Sequence, residues 1–182
     1  MYVGIDGVHV AGSSGSQFWP IIGYLPFLKD SLPFPIGVFH GFSKPTLSNV
    51  FLSELIDEAI GLYEIGFSFR NICFQVKIAA FICDAPARVM ILCVKGHSSE
   101  RNGCARCTGF GRFIGEIRTN ESFRETIFAQ HHHFPSVLED LEYLNMVRDV
   151  PLDPMHLLDF GVRRKKWYFF HKVLPYGKKQ LI

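Results

Sequence analysis

The chain has 182 residues, of which 48% are hydrophobic and 20% are charged. This composition predicts a globular chain of about one domain and excludes a disordered tail, because the apolar residues suffice for a sizeable core. The net charge of +2 is too small to indicate a nucleic-acid partner by itself. We find no secretory signal and no apolar run of the roughly 18 to 20 residues that a membrane span needs, so we expect a soluble, intracellular protein.

The first part of the sequence predicts three strands in succession. The first covers residues 3–10 and is interrupted at Asp6-Gly7. The second covers residues 18–25, where Pro20 indicates an edge strand or a bulge. The third is clearest over residues 36–39.

The apolar spacing becomes helical after these strands. Ser48 suits the N-cap of this helix and Gly66 suits its end. A fourth strand over residues 76–83 then ends on Asp84, and a second helix starts near Pro86, since proline is tolerated in a first helical turn. The predicted order is therefore three strands, a helix, a strand and a helix. The apolar positions of the first helix are Leu52, Leu55, Ile56, Ala59, Ile60 and Tyr63.

Changes in composition and periodicity divide the sequence into three parts. Residues 1–96 hold the predicted strands and helices. Residues 97–135 are polar, rich in glycine and poor in apolar side chains. Residues 136–182 begin with a predicted helix over 136–147 and are read as a helical continuation.

Asp6 and Asp84 form the first pair of residues that could carry chemistry. If the first and fourth strands are neighbours, both carboxylates converge, as a pair of Mg²⁺ or Mn²⁺ ions requires for phosphoryl displacement. The alternative is that Asp6-Gly7 forms a bulge or turn and that Asp84 caps the following helix. The spacing leaves both interpretations open.

The second group is a Cys-x2-Cys pair with histidines on either side. Thiolates and imidazoles are the ligands that tetrahedral Zn²⁺ prefers, and a segment with little apolar content needs such a staple to become ordered. Cys104 and Cys107 are the firmest candidates, with His97 and either His131 or His132 completing the set. The alternative is two solvent-facing thiols and a coincidental run of histidines. The other cysteines are predicted to be buried thiols: Cys73, Cys83 and Cys93.

The third group lies in the stretch "PLDPMHLLDFGVRRKK". Asp153 and His156 would share a face if this stretch is helical. Alternatively, Asp153 is the N-cap of a helix that starts at Pro154, and His156 is a core or boundary histidine. The basic run Arg163, Arg164, Lys165 and Lys166 is either a solvated face or a contact to phosphates.

Several separate blocks of the sequence resemble the catalytic region of DDE-type DNA transposases. The likeness is strongest to the CACTA-like group and to transposase-derived proteins, and it extends from residue 5 to about residue 166. The blocks occur in the family's order: "IDGVHVAGSSGSQFWPIIGYL", "PIGVFHGFSKPTLSNVFLSELIDE", "AFICDAPARVMILCVKGHSSERNGCARC" and "PLDPMHLLDFGVRRKK".

This resemblance implies an α/β protein with a ribonuclease H-like mixed sheet, flanking helices and a zinc-stapled insertion. It implies that Asp6 and Asp84 are the first and second catalytic acids, with Mg²⁺ or Mn²⁺ as cofactor. Asp153-x2-His156 matches a motif near the active site. The implied activity is phosphodiester cleavage and strand transfer in the nucleus, with transposon-end DNA as partner and the basic run in contact with it.

The sequence departs from the family at both ends. The family's third acid, a Glu on a later helix, has no candidate after His156, and the sequence begins almost at the first strand. We therefore expect a fragment with an incomplete core and weak or no activity alone. The alternative is a non-catalytic, zinc-stapled remnant that binds DNA or protein. Self-association into a homo-oligomer is left open.

Overall fold

The computed structural model describes residues 1–10, 15–96, 99, 102–109 and 115–155, and has an α/β fold with one mixed sheet and a few helices. The strands are β1 (Tyr2–Ile5), β2 (Val8–His9), β3 (Gln17–Tyr24), β4 (Phe34–Gly41), β5 (Phe67–Phe69), β6 (Ile72–Phe74) and β7 (Ala80–Cys83). The helices are α1 (Ser48–Glu64), α2 (Ala85–Ile91) and α3 (Asn120–Arg124), with 3₁₀ turns at Ala129–His131 and Val137–Asp140. The predicted order of three strands, a helix, a strand and a helix is confirmed.

The main sheet is organised around β1 and β3. β3 pairs antiparallel with β4 along most of its length, and with β1 and β2 at its two ends. β1 pairs on its other side with β7, and this pairing is parallel. The predicted interruption at Asp6-Gly7 is confirmed as the break between β1 and β2. Gly7 is required there because a Cβ would lie 2.6 Å from the indole ring of Trp19.

The core lies between the sheet and α1. Leu52 and Ile56 on α1 and Phe81 on β7 are fully buried, as the helical spacing predicts for α1. Asn49 ties the start of α1 to the later chain, because its side chain donates to the carbonyl of Pro135 and accepts from the N–H of Val137. The helix therefore holds together elements that are distant in the sequence.

The ends of α1 are only partly as predicted. Leu47, not Ser48, occupies the N-cap position, and no side chain caps the helix. Ser48 is instead the first helical residue, and its hydroxyl lies 3.3 Å from the sulfur of Cys93. Gly66 ends the helix as predicted: its φ of +76° is a left-handed conformation that favours glycine.

Two short strands, β5 and β6, form a hairpin that the sequence analysis did not predict. Its turn residues Arg70 and Asn71 both have positive φ, of 49° and 62°, as a two-residue hairpin turn of this type requires. All six strand residues of the hairpin are exposed. The predicted fourth strand, β7, begins at Ala80 instead of residue 76, because the N–H of Val76 donates to Leu62 at the end of α1.

The predicted helices after β7 are shorter than expected. α2 ends at Ile91, and Cys93 with φ +54° cannot continue it. The predicted helix over residues 136–147 is wrong, since only the 3₁₀ turn at Val137–Asp140 forms there. The physical reason is Arg124, whose guanidinium takes the carbonyls of this segment as acceptors. Those carbonyls belong to Glu139, Leu141 and Leu144.

In the ranges that the structure describes, no helix combines the length and the apolar character needed to cross a bilayer.

Burial on α1 predicts a sharp contrast between two aliphatic positions. Leu52→Ala should lower the free energy of unfolding by about 2 to 5 kcal/mol, because Leu52 is fully buried and its truncation leaves a cavity. Val50→Ala in the same helix should change it by less than about 0.5 kcal/mol, since Val50 is 68% exposed. Urea unfolding of both variants tests this, and equal losses would contradict the packing described.

Candidate functional site

The two aspartates predicted as catalytic acids lie side by side at one end of the sheet. β1 and β7 run parallel, and Ile5 is opposite Cys83 in the register. Asp6 and Asp84 are the next residues of these strands. The carboxyl ends of neighbouring parallel strands are a common position for ligand sites.

A third aspartate joins them from the end of the described chain. Leu152 forms a parallel bridge with Cys83, and the N–H of Asp153 donates to the carbonyl of Cys83 at 2.8 Å. Asp6, Asp84 and Asp153 together line one cleft with a volume of about 170 Å³. We call this the acid cleft. Its other lining residues are Gly4, Ile5, Pro20, Ile22 and Ile82.

Local backbone groups orient each carboxylate of the acid cleft. One oxygen of Asp6 accepts from the N–H of Gly7 at 2.7 Å, and one oxygen of Asp153 accepts from Met155 at 3.0 Å. One oxygen of Asp84 accepts from the N–H of Ala87 at 2.8 Å and so caps α2. The capping alternative for Asp84 is therefore correct as geometry. It does not exclude a ligand role, because a carboxylate has two oxygens and about four acceptor sites.

Arg88 links two of the segments that form the acid cleft. It lies one turn after Asp84 on α2, is buried, and donates from Nε to the carbonyl of Val150 at 2.6 Å. Burial lowers the pKa of Arg88 to about 10, so the side chain stays charged at neutral pH. Arg88 thus joins the helix that carries Asp84 to the segment that carries Asp153.

From the sequence, Asp153 was predicted only as part of a motif near the active site and not as a third acid. A signal was present: Asp6, Asp84 and Asp153 each follow an apolar or thiol residue that belongs to a strand or bridge. The pairing partner of Leu152 could not be read from the sequence. His156 and the basic run of Arg163, Arg164, Lys165 and Lys166 lie outside the described residues.

The predicted cysteine pair is close in space. The thiol of Cys107 donates to the sulfur of Cys104 across 3.5 Å. Two sulfurs on one tetrahedral Zn²⁺ with 2.3 Å bonds would be about 3.8 Å apart, so the pair needs little adjustment to share an ion. Burial raises the pKa of the Cys104 thiol, but hydrogen bonds from the backbone of Arg106 and from Cys107 outweigh it and leave the pKa lowered.

His131 presents a buried nitrogen without a partner. The side chain is fully buried, and its Nδ1 is hydrogen-bonded to the carbonyl of Asn102. A carbonyl can only accept, so Nδ1 carries the proton and Nε2 keeps its lone pair. Nε2 has no hydrogen-bond partner, and burial lowers the pKa of His131 to about 4. This combination of a protonated, carbonyl-bound nitrogen and an open one is typical of a metal-binding histidine.

His132 is a weaker candidate than its neighbour. Its ring packs edge-on against Phe123 with the centroids 4.5 Å apart, and it is half-buried. Burial also lowers its pKa. His97 lies outside the described residues. Of the two alternatives that the sequence left open, only His131 has a buried nitrogen that needs a partner.

Among the described residues, neither the acid cleft nor the Cys104–Cys107 pair forms a complete set of metal ligands. In the described part of the chain, no three His, Cys, Asp or Glu side chains stand in a geometry that could hold a metal. The donor chemistry nevertheless fits. Three carboxylates suit Mg²⁺, which commonly takes one or two of them and completes its shell with water and phosphate oxygens. Two thiols and an imidazole suit Zn²⁺.

The other cysteines are only partly as predicted. Cys83 and Cys93 are buried, and burial raises the pKa of the Cys83 thiol to about 12 and also raises the pKa of the Cys93 thiol. Cys73 is exposed on the β5–β6 hairpin, so its prediction as a buried thiol is wrong.

Comparison with models of protein families, with curated proteins and with solved structures gives no match. The acid cleft and the Cys104–Cys107 pair are the two candidate sites that the geometry of the chain provides.

The cap formed by Asp84 predicts different effects for two substitutions. Asp84→Ala should cost about 1 kcal/mol of unfolding free energy, because α2 loses its N-cap. Asp84→Asn should cost much less, since the amide oxygen can still accept from Ala87. Urea unfolding of the two variants without metal tests this, and equal losses would show that the cap contributes nothing.

The buried, neutral His131 predicts a pH dependence of stability. Its pKa is about 4 in the folded protein against 6.5 for an ordinary histidine. The unfolded state therefore binds more protons between these values, and the contribution of His131 is present above pH 6.5 and is lost as the pH falls towards 4. At about 1.4 kcal/mol for each pKa unit, the loss is at most about 3 kcal/mol.

Metal-free protein unfolded in urea between pH 7 and pH 4 measures this effect. His131→Gln should flatten the pH dependence, whereas His133→Gln, at the exposed end of the same run, should leave it as in the unsubstituted chain. An unchanged slope in His131→Gln would contradict the assignment.

Proposed function

We propose that the chain is a transposase-derived domain of the DDE type. Its ancestral reaction is metal-dependent phosphodiester cleavage and strand transfer in DNA transposition. The observation that carries this proposal is the acid cleft, where Asp6, Asp84 and Asp153 follow three neighbouring parallel segments. The resemblance implies the first two as catalytic acids, and we add Asp153 as the third carboxylate.

The architecture supports a ribonuclease H-like core. That fold, as the resemblance implies it, has three antiparallel strands, a helix, a strand and a helix. The mixed sheet has this order, with β7 parallel to β1 and α1 between β4 and β7 in the sequence. The β5–β6 hairpin is an addition between α1 and β7.

The residues of the cleft would hold and orient the reacting groups. Bound Mg²⁺ or Mn²⁺ supplies Lewis-acid activation of water or of a DNA 3′-hydroxyl for attack on a phosphodiester. Asp6 and Asp84 are the ligands that the resemblance implies, and Asp153 faces the same space. The backbone N–H groups that bind one oxygen of each carboxylate fix their orientation before any ion arrives.

The Cys/His insertion completes the proposal as a structural zinc site. Cys104, Cys107 and His131 are the candidate ligands described above, with His97 or His132 as the fourth. Zinc would staple a segment that has few apolar side chains of its own. We further propose transposon-end DNA as the partner and the nucleus as the location, both from the resemblance.

A second function has a specific observation in its favour. Asp84 already serves as a helix cap, so the carboxylate at the end of β7 has a structural role without any metal. A non-catalytic, zinc-stapled module that binds DNA or protein would need the fold and the cysteine pair but not the acid cleft. The two functions differ in whether the acid cleft binds Mn²⁺.

Calorimetric titration with Mn²⁺ on zinc-loaded protein tests the acid cleft. Asp6→Asn, Asp84→Asn and Asp153→Asn should each weaken Mn²⁺ binding by at least about 10-fold, the loss typical even for residues that only support a ligand. Asn keeps the local hydrogen bonds, so folding should be preserved. Asp57→Asn, at an exposed position of α1, is the matched control and should bind as the unsubstituted chain does.

If the domain retains its chemistry, the unsubstituted chain and Asp57→Asn should nick supercoiled plasmid in Mn²⁺, and the three cleft variants should nick it more slowly. Tight Mn²⁺ binding that survives all three cleft substitutions would reject the catalytic proposal. Zinc binding without any Mn²⁺ binding would favour the non-catalytic module.

A further inference from the structure

Arg118 is fixed beside the cysteine pair by contacts on both sides. Its backbone N–H donates to the carbonyl of Arg106 at 2.9 Å, and its neighbour Ile117 bridges to Cys107. Its Nε donates to the carbonyl of Cys104 at 3.0 Å. The guanidinium is therefore held next to Cys104 and Cys107 by the main chain of the Cys-x2-Cys turn itself.

The outer nitrogens of this guanidinium, Nη1 and Nη2, find no hydrogen-bond partner among the described residues. Arg118 is only 3% exposed, and both Nη1 and Nη2 are buried without a hydrogen-bond partner. Its guanidinium carbon lies over the ring of Phe128, 4.9 Å from the ring centroid. Among the described residues no carboxylate pairs with it, since the ion pair found there joins Arg148 to Asp149. A buried cation with unpaired donors costs several kcal/mol, so an acceptor at this place is a physical requirement.

The sulfurs of Cys104 and Cys107 belong to the same turn whose carbonyl already accepts from Nε of Arg118. A thiol sulfur is a weak acceptor, whereas a thiolate is a strong and charged one. The donors of Arg118 are thus unsatisfied beside two thiols and would be satisfied beside two thiolates.

We propose that Arg118 is the positioning residue of a thiolate-bound Zn²⁺ at Cys104 and Cys107, with its Nη groups donating to the metal-bound sulfurs. Cys104 and Cys107 would hold the ion as thiolates, their two protons released to solvent, and the Nη groups of Arg118 would donate to the two sulfurs. This inference rests on the zinc site of the proposed function and adds the residue that stabilises its thiolates.

Cobalt titration of metal-stripped protein provides the test. Co²⁺ bound to thiolates gives a charge-transfer band in the near ultraviolet, and Zn²⁺ competition then gives the zinc affinity. Arg118→Met should weaken both affinities by about 10- to 100-fold, as is typical when a partner of a ligand is removed. It should also move the band to longer wavelength, because a thiolate without N–H donors holds its electrons less tightly.

Arg124→Met is the matched control. Arg124 is also a partly buried arginine, but its guanidinium donates to the carbonyls of Glu139, Leu141 and Leu144 and not to the cysteine turn. It should lose stability while keeping the affinity for Co²⁺ and the position of the band. Circular dichroism at the titration temperature establishes that each variant is folded.

The outcomes separate this inference from the proposed zinc site. If the unsubstituted chain shows no thiolate–cobalt band, the zinc site itself is wrong and the role of Arg118 falls with it. If the band appears and Arg118→Met leaves its affinity and wavelength unchanged, the zinc site stands and this inference is wrong. Should Arg118→Met not fold, Arg118→Lys decides, since one ammonium cannot reproduce two Nη donors: a shifted band supports the inference and an unshifted band with full affinity overturns it.

Discussion

The parallel register between β1 and β7 is the constraint on which the candidate chemistry depends. With Ile5 opposite Cys83, the two strands deliver Asp6 and Asp84 to the same end of the sheet. Side chains alternate between faces, so a slip of one residue would send one carboxylate to the opposite face. The bridge from Leu152 to Cys83 uses the same row and extends it to Asp153. Three distant parts of the sequence thus meet because one short ladder has one register.

Two arginines bind the main chain of the segment that leads to Asp153. Arg88 and Arg124 both donate to backbone carbonyls of the segment between Glu139 and Val150. A planar guanidinium can donate to several carbonyls at once, so one side chain can order an irregular segment of the main chain. This segment carries Leu141 and Leu144 into the core and ends at Asp153. The position of Asp153 therefore depends in part on the hydrogen bonds that Arg88 and Arg124 make with this segment.

How far the sequence predicts this structure depends on how local each signal is. The break at Asp6-Gly7 and the end of α1 at Gly66 follow from strand and helix patterns close to those residues. The meeting of Asp6 with Asp84 was predicted only on the condition that the first and fourth strands are neighbours, which the pairing of β1 with β7 fulfils. The absent helix at 136–147 does not follow from local patterns, because it depends on acceptors taken by a distant arginine. Asp153 was placed by a single bridge, and His131 was distinguished from His132 by burial. Such tertiary contacts leave no periodic trace in a sequence.

The β5–β6 hairpin has a consequence for how this chain can change over time. Its strand residues are all exposed, and its left-handed turn at Arg70 and Asn71 sets its shape locally. None of these strand residues lines the acid cleft. Among the described elements, the hairpin should therefore tolerate substitution well. Related chains with the same sheet would be expected to differ most between α1 and β7, and to vary there in length as well as in residue type.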